Sequence, residues 1–220
     1  MSKSCVYKNK QELIRSLIRN TDTVLDVGFL GQGIQADDVR WPHALLIKTA
    51  KDVYGVDLSV DRSLFPSESH YQSISAENFS FPGVVFDVIF AGDLIEHLQN
   101  PGLFLEACRT HMNATSRLII TTPNCFNLFN ITEKISKDEP TVNSDHTCYF
   151  NHKTLRTLLS KSNMDVNDIG YVYSLEYSHK ESWKKRFLNL IYALVSSVTP
   201  KYLETLVIVA SVKNDANQTA

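Results

Sequence analysis

Short apolar runs alternate with amphipathic helical patterns along most of this 220-residue chain. Runs such as FDVIF (86–90) and RLIIT (117–121) are almost wholly apolar, which is typical of strands with both faces buried. Strands of this kind, when helices separate them, predict a parallel α/β sheet. In such sheets a ligand binds beyond the carboxyl ends of the strands, so the residues that follow each strand carry most of the functional information.

Seven strands and four helices are predicted from hydrophobic periodicity. The strands span 23–27, 52–56, 71–74, 86–90, 117–121, 166–175 and 203–212. The helices span 10–19, 43–51, 103–111 and 151–162. No strand is evident in 123–150, which together with 179–200 is interpreted as a lid or acceptor-site element. We predict a single domain over 1–213 and a disordered tail at 214–220.

Charge and cysteine content argue against several classes of protein. Lys plus Arg number 22 against 24 for Asp plus Glu, which argues against nucleic acid as a partner, because proteins that bind its backbone are usually basic. The four cysteines form no CxxC pair, so neither a zinc ribbon nor a disulfide scaffold is indicated, and a reducing compartment fits best. With no signal-like segment at the N-terminus and no run long enough to span a bilayer, we expect a cytoplasmic protein.

Glycines follow the first predicted strand in the segment VLDVGFLGQG. Gly31, Gly33 and Ala36 match the dinucleotide fingerprint GxGxxA, which alone is a weak signal. Asp26 at the strand end would repel a pyrophosphate but can accept hydrogen bonds from an ammonium group, so a ligand with an amino-acid end fits better. Asp57 ends the second strand, where a carboxylate can accept both hydroxyls of a ribose; the alternative is a capping or solvent-facing Asp.

Five motifs follow one another along the chain: VLDVG with GxG, YGVDLS, AENF, FDVIFAGDLIEHLQNPGLFL and LIITTPN. In this order they resemble the class I S-adenosylmethionine-dependent methyltransferases, over about residues 20–165. The resemblance is closest to the branch of ubiquinone-pathway and polysaccharide-cluster O-methyltransferases. It implies an enzyme with a Rossmann-like, seven-stranded, mostly parallel sheet, an antiparallel last strand and helices on both faces. It also implies S-adenosyl-L-methionine as the cofactor.

The resemblance assigns ten residues to the cofactor. Asp26, Gly28 and Gly31 would face the methionine end of the cofactor, and Asp57 would bind the ribose. Ala76 and Glu77 would flank the adenine, and Ala91 and Asp93 would lie on the sulfonium side. Gly33 and Leu58 are further expected contacts. The sequence departs from the family pattern in two places. Leu30 is an extra residue in the glycine loop, and Ser75 stands where many relatives have an Asp for the adenine amine. A relative that kept the fold without the activity is therefore an alternative.

Methyl transfer to a hydroxyl requires a base that accepts the acceptor proton. His97, in DLIEH, and His146, in SDHT, are the candidate catalytic residues, because a neighbouring carboxylate such as Glu96 or Asp145 can orient and tune an imidazole. The alternative for His97 is packing against the strand edge. The expected acceptor is a small hydroxylated molecule: a sugar, a glycolipid or a quinone-type ring.

A metal-dependent alternative starts from the same residues. Asp93, Glu96, His97 and His146 resemble the metal-binding set of the small-RNA 3′-terminal 2′-O-methyltransferases, in which two carboxylates and two imidazoles hold a divalent ion. The chain departs from that family because Asp93 replaces a Glu and CYF (148–150) replaces its late aromatic signature. The leading expectation is therefore an enzyme without a metal and with a small-molecule or glycan acceptor.

The segment 183–198 begins with a basic cluster and continues with apolar residues at helical spacing. One interpretation is a peripheral membrane contact that covers a lipid-linked acceptor. The other is a helix that covers the sheet. Because it lies before the last strand, an insertion here also offers a surface for a homodimer.

Overall fold

The computed structural model describes residues 5–30, 41–173 and 198–213, together with residues 192, 194 and 195. Its strands are β1 (Cys5–Tyr7), β2 (Thr23–Val27), β3 (Asp52–Asp57), β4 (Tyr71–Ser73), β5 (Val88–Gly92), β6 (Arg117–Pro123), β7 (Met164–Val172) and β8 (Thr205–Val212). Its helices are α1 (Lys10–Leu17), α2 (Pro42–Thr49), α3 (Pro101–Thr110), α4 (Leu128–Ser136) and α5 (His152–Lys161). Two short 3₁₀ turns lie at Ile95–His97 and Pro200–Tyr202.

All eight strands form one sheet in the order β1-β7-β8-β6-β5-β2-β3-β4. β8 runs antiparallel to both of its neighbours, β6 and β7, and every other neighbouring pair is parallel. The predicted α/β class, with a mostly parallel sheet and an antiparallel last strand, is thus confirmed. The sheet has eight strands instead of seven because β1 is added at the edge beside β7.

The strands separate two apolar layers, one on each face of the sheet. On one face, Val24 of β2 packs with Leu13 of α1 and Leu46 of α2. On the other face, Leu25 packs in one cluster with Phe104 of α3 and Leu155 of α5. Successive residues of a strand point to opposite faces, so a strand with helices on both sides needs apolar residues at almost every position. The predicted helices on both faces are confirmed.

Two elements were not predicted. β1 has three residues, two of them exposed, and therefore shows no buried apolar run. Helix α4 lies within 123–150, and the Asn127 side chain caps it by accepting from the Asn130 backbone N–H at 2.9 Å. The lid role predicted for 123–150 stays a prediction.

Some predicted features fall outside the described residues. These are the tail 214–220, most of the segment 179–200, and the glycines Gly31 and Gly33. Within the part of the chain that is described, no helix combines the length and the apolar character that a membrane crossing requires.

Candidate functional site

A cavity of about 570 Å³ opens at the carboxyl ends of β2, β3 and β5. In the sheet, β2 lies between β3 and β5. The chain runs from β2 to β3 on one side and returns later as β5 on the other side of β2. Such a reversal in strand order leaves a crevice between the loops, which is where ligands bind in open α/β sheets. Of the sequence-predicted residues, the cavity is lined by Asp26, Gly28, Asp57, Leu58, Ala76, Asp93, Glu96, His97 and His146.

Gly28 forms the turn that leaves β2. Its φ is +77°, a conformation that residues with a Cβ rarely adopt. A Cβ at this position would lie 2.9 Å from Cδ1 of Leu94, and the Gly28 N–H donates to the carbonyl of Val56 at 2.7 Å. The glycine therefore allows the chain to turn tightly between β3 and the loop that follows β5.

Asp26 is a buried acid in the cavity wall, with 3% of its surface exposed. Its Oδ2 lies 2.9 Å from Nδ1 of His43, and Nε2 of the same ring lies 3.3 Å from the Tyr71 hydroxyl. Burial raises the pKa of Asp26, while the hydrogen bond and charge of His43 act in the opposite direction. The carboxylate is therefore oriented by a buried imidazole, a partner that was not predicted from the sequence.

Asp57 lies at the end of β3, next to Asp26 on the neighbouring strand. Its Oδ2 accepts from the Leu30 backbone N–H at 3.0 Å, and its Oδ1 accepts from the Leu58 backbone N–H at 2.8 Å. Two backbone donors thus hold the carboxylate in a defined orientation at the cavity wall.

Of the predicted cofactor residues that the structure describes, Glu77 and Ala91 do not line the cavity. Both carboxylate oxygens of Glu77 accept from Asn100, at 2.8 Å from its backbone N–H and 3.2 Å from its side-chain amide. Ala91 is wholly buried in the apolar cluster on the α3 side of the sheet. Ser75 and Ala76 do line the cavity, so this part of the wall comes from the loop after β4.

Asp93 follows β5 with a φ of +50°. Its Oδ1 accepts from the Thr121 hydroxyl at 2.8 Å, and its Oδ2 accepts from the ammonium of Lys10. Lys10 itself lines the cavity from the start of α1, although the sequence carried no signal for this role. The charge of Asp93 is therefore already paired.

Glu96 is 2% exposed and lies in the 3₁₀ turn after β5. Its Oε2 accepts from the Thr122 hydroxyl at 2.9 Å, whereas its Oε1 is buried with no hydrogen-bond partner in the described part of the chain. Burial raises the pKa of Glu96 to about 7, and the charge of Asp93 adds to this effect. Buried oxygens in folded proteins usually have a donor, so this atom is a candidate contact for a ligand or an ion.

The structure brings together the two predicted catalytic histidines. The rings of His97 and His146 meet edge to face with centroids 4.7 Å apart. The loop that carries His146 is held by Thr147, whose backbone N–H donates to the Glu96 carbonyl at 2.8 Å and whose hydroxyl donates to the Leu98 carbonyl at 2.7 Å. Desolvation and then the charge of His97 lower the pKa of His146, which favours its neutral form.

The ligand atoms of Glu96, His97 and His146 all lie within 4.8 Å of one another. Two imidazoles and a carboxylate are a donor set that suits a divalent transition metal. Asp93, the fourth member of the predicted metal set, is not part of this group because its carboxylate is bound by Lys10 and Thr121.

The sequence model of a family described as "Methyltransferase domain" matches residues 7–168, about three quarters of the chain. The chain belongs to this methyltransferase family. The match includes every cavity-lining residue from Lys10 to His146. No curated protein sequence shows significant similarity to this methyltransferase.

Solved structures share the fold at low sequence identity. A chain of the complex between the Haloferax volcanii Trm112 methyltransferase activator and a methyltransferase is 15% identical, with a TM-score of 0.61 over 90% of this chain and 85% of that chain. The 1,6-didemethyltoxoflavin-N1-methyltransferase of Burkholderia thailandensis, with S-adenosylhomocysteine bound, is 16% identical, with a TM-score of 0.57 over 94% and 80%. The S-adenosylmethionine-dependent methyltransferase of Clostridium acetobutylicum is 12% identical, with a TM-score of 0.55 over 93% and 89%.

These comparisons confirm the predicted class. The chain is an enzyme of the methyltransferase family and has the fold of the class I S-adenosylmethionine-dependent methyltransferases. The narrower branch expected from the sequence, that of ubiquinone-pathway and polysaccharide-cluster O-methyltransferases, belongs to the proposal below.

Proposed function

We propose that this methyltransferase transfers the methyl group of S-adenosyl-L-methionine to a hydroxyl of a small acceptor: a sugar, a glycolipid or a quinone-type ring. One observation carries the proposal. The same cavity is lined by two carboxylates at the ends of adjacent strands, Asp26 and Asp57, and by two imidazoles, His97 and His146. The carboxylates suit the amine and the diol of the cofactor, and the imidazoles suit the proton of an alcohol.

The cofactor half of the cavity follows from charge and strand position. The buried carboxylate of Asp26 would accept from the ammonium of the methionine end, since a charge-assisted hydrogen bond is strong in a desolvated site. The backbone-held carboxylate of Asp57 would accept from the ribose hydroxyls. Leu58 and Ala76 would then flank the adenine from the loops after β3 and β4.

The transfer itself is an in-line displacement at the methyl carbon. A bond forms between the acceptor oxygen and the methyl carbon, and the bond between that carbon and sulfur breaks, so the sulfonium becomes a neutral thioether. The hydroxyl proton passes to His97 or His146, of which His146 is held in its neutral form by desolvation. Most of the rate enhancement would come from alignment of the acceptor with the sulfonium.

A second candidate is metal-dependent O-methylation, and it is favoured by the cluster of Glu96, His97 and His146. The buried, unpartnered Oε1 of Glu96 fits a metal ligand, because an ion would supply the missing positive partner. A divalent ion bound there would orient vicinal hydroxyls and lower their pKa. The acceptor could then be an RNA 3′ end, although the net charge of −2 supports a small molecule or glycan instead.

The remaining parts of the proposal concern the setting of the enzyme. Residues 1–213 would form one methyltransferase domain, in which 123–150 and 179–200 shape the acceptor site. A cytoplasmic location is supported by four free cysteine thiols. If the acceptor is lipid-linked, segment 183–198 would form a peripheral membrane contact. We also propose that the same insertion forms a homodimer contact.

The test has two stages. Isothermal calorimetry with S-adenosylhomocysteine should show one site per chain; absence of binding heat and of a thermal shift would identify a relative without activity and overturn the proposal. Purified enzyme is then incubated with labelled cofactor and panels of sugars, glycolipids, quinone-type phenols and short RNAs, with EDTA or with Mn²⁺. An O-methylated small molecule supports the first candidate, and an RNA product that requires Mn²⁺ supports the second.

A further inference from the structure

We infer that His43 is a positioning residue, which holds the carboxylate of Asp26 ionised and oriented toward the ammonium of the cofactor through a buried chain of hydrogen bonds that ends at Tyr71. The inference rests on the proposed function, because it assigns the amine of S-adenosylmethionine to Asp26. His43 is not among the residues that line the cavity. Its effect is exerted entirely through its neighbour.

The chain has three members from three elements of the fold. Asp26 lies in β2, His43 at the start of α2, and Tyr71 in β4. Nδ1 of His43 is 2.9 Å from Oδ2 of Asp26, and Nε2 is 3.3 Å from the Tyr71 hydroxyl. His43 is wholly buried, so both of its ring nitrogens are bonded to protein groups and neither depends on water.

The network determines which nitrogen carries the proton. Burial, and then the charge of Asp26, raise the pKa of Tyr71, so its hydroxyl stays protonated and can donate to Nε2. Nδ1 then carries the hydrogen and donates to Asp26. We therefore assign Nδ1 of His43 as the donor to Asp26 and Nε2 as the acceptor from Tyr71.

Aromatic rings prevent the imidazole from rotating away. The centroids of Phe29, Trp41 and Phe65 lie 4.5, 5.2 and 5.9 Å from that of His43. The Trp41 indole N–H donates to the Phe29 carbonyl at 2.6 Å, which ties two of these rings together. The cage therefore keeps Nδ1 pointed at the carboxylate whether or not a ligand is bound.

A carboxylate this deeply buried tends to take up a proton, and a neutral Asp26 would lose most of its attraction for an ammonium group. The other titratable or charged groups around it are Asp57 on β3, Tyr71 on β4, and Asp93 with Lys10 across the cavity. Of these, Asp57 raises the pKa of Asp26, whereas the hydrogen bond from His43 lowers it. Removal of the imidazole should therefore weaken cofactor binding most at low pH.

The experiment measures the dissociation constant of S-adenosylhomocysteine by calorimetry at about pH 6 and about pH 8. In His43→Leu the constant should rise about tenfold or more at pH 8, and further at pH 6, because a hydrogen bond to a charged group is lost. His43→Asn places an amide donor near the position of Nδ1 and should restore most of the affinity. Tyr71→Phe should weaken binding less, by about fivefold or below.

A second ligand separates positioning from structural damage. The probe 5′-methylthioadenosine has the nucleoside and the sulfur but no amino-acid end, so its affinity should be the same in His43→Leu as in the wild type. Equal affinity of His43→Leu and wild type for S-adenosylhomocysteine at both pH values would overturn the inference. So would an equal loss for both ligands that His43→Asn does not restore.

A failure of the proposed function gives a different result from a failure of the inference about His43. If the wild type binds neither ligand, the cofactor assignment itself is wrong and the role of His43 is overturned with it. If His43→Leu does not fold, Tyr71→Phe decides the question, with His43→Asn as the variant that keeps the donor. Tyr71→Phe must then show a larger affinity loss at pH 6 than at pH 8 for S-adenosylhomocysteine alone, while His43→Asn stays close to the wild type. Absence of that pH dependence in Tyr71→Phe would overturn the inference.

Discussion

The Thr122 hydroxyl donates to Oε2 of Glu96 across 2.9 Å, and the other carboxylate oxygen, Oε1, is buried with no hydrogen-bond partner among the described residues. One half of the carboxyl group is thus satisfied by Thr122, and the group lies in one cluster with the two histidines of the cavity. This half-satisfied acid lies among the residues proposed to receive the acceptor. It has consequences for stability that can be measured without a substrate.

Glu96→Gln should make the protein more stable at high pH. The folded pKa of Glu96 is about 7 against an ordinary value of 4.5. Between these values the folded state keeps a proton that the unfolded state releases, so wild-type stability falls as the pH rises from about 4.5 to about 7. Gln carries no charge at any pH, so the variant should exceed the wild type by about 3 kcal/mol at pH 8 and match it near pH 4.5.

Urea unfolding at the two pH values, with EDTA present to exclude bound metal, measures this difference. Glu106→Gln is the matched control, because Glu106 is exposed and pairs with Arg109 on the same helix face, and its stability difference should stay within about 0.5 kcal/mol. A Glu96→Gln variant that is no more stable than wild type at pH 8 would show that Glu96 is stabilised as an anion.

Asp26→Asn and Asp57→Asn should separate the two ends of the cofactor. Asp26→Asn should weaken S-adenosylhomocysteine about tenfold or more and leave 5′-methylthioadenosine unaffected, because only the former carries an ammonium group. Asp57→Asn should weaken both ligands, because both carry the ribose. Calorimetry measures all four constants, with Asp165→Asn, an exposed acid on β7, as the control. A loss for both ligands in Asp26→Asn would contradict the proposed orientation.

His146→Asn should lower kcat about a hundredfold or more without a change in cofactor affinity, because it removes a group that would accept the acceptor proton. His97→Asn should behave similarly if the two rings act together.

EDTA distinguishes the two candidate functions: activity that persists supports an imidazole base, whereas activity that is lost and returns with Mn²⁺ supports a metal held by the cluster. His152→Asn, at the start of α5, is the control and should keep full activity.

Gly28→Ala should destabilise the fold by about 1–3 kcal/mol and weaken the cofactor, because φ at Gly28 is +77° and a Cβ would meet Leu94 at 2.9 Å. Gly102→Ala in α3 is the matched control: nothing lies within 4 Å of its Cβ, and alanine favours helix, so stability should stay the same or rise. Thermal unfolding measures both. A Gly28→Ala variant with wild-type stability would show that the turn relaxes without strain.

Local patterns in the sequence determined much of this protein. The predicted bounds of β2 (Thr23–Val27) agree with the structure, because both of its faces are buried and it lies between the polar Asp22 and the turn at Gly28. The positions of Asp26 and Asp57 at one cavity also followed from the sequence, since parallel strands end at the same edge of a sheet. What could not be predicted were short or exposed elements such as β1, which bury too little to leave a pattern.

The partners of the site residues were decided only by the tertiary structure. His43 is 17 residues from Asp26, Lys10 is 83 from Asp93, and Thr147 is 51 from the Glu96 carbonyl that it binds. Periodicity and strand order place a residue at an edge of the sheet, but a hydrogen bond requires atoms within about 3 Å of each other. That proximity depends on how each helix and loop packs across the sheet, which no local stretch of sequence specifies.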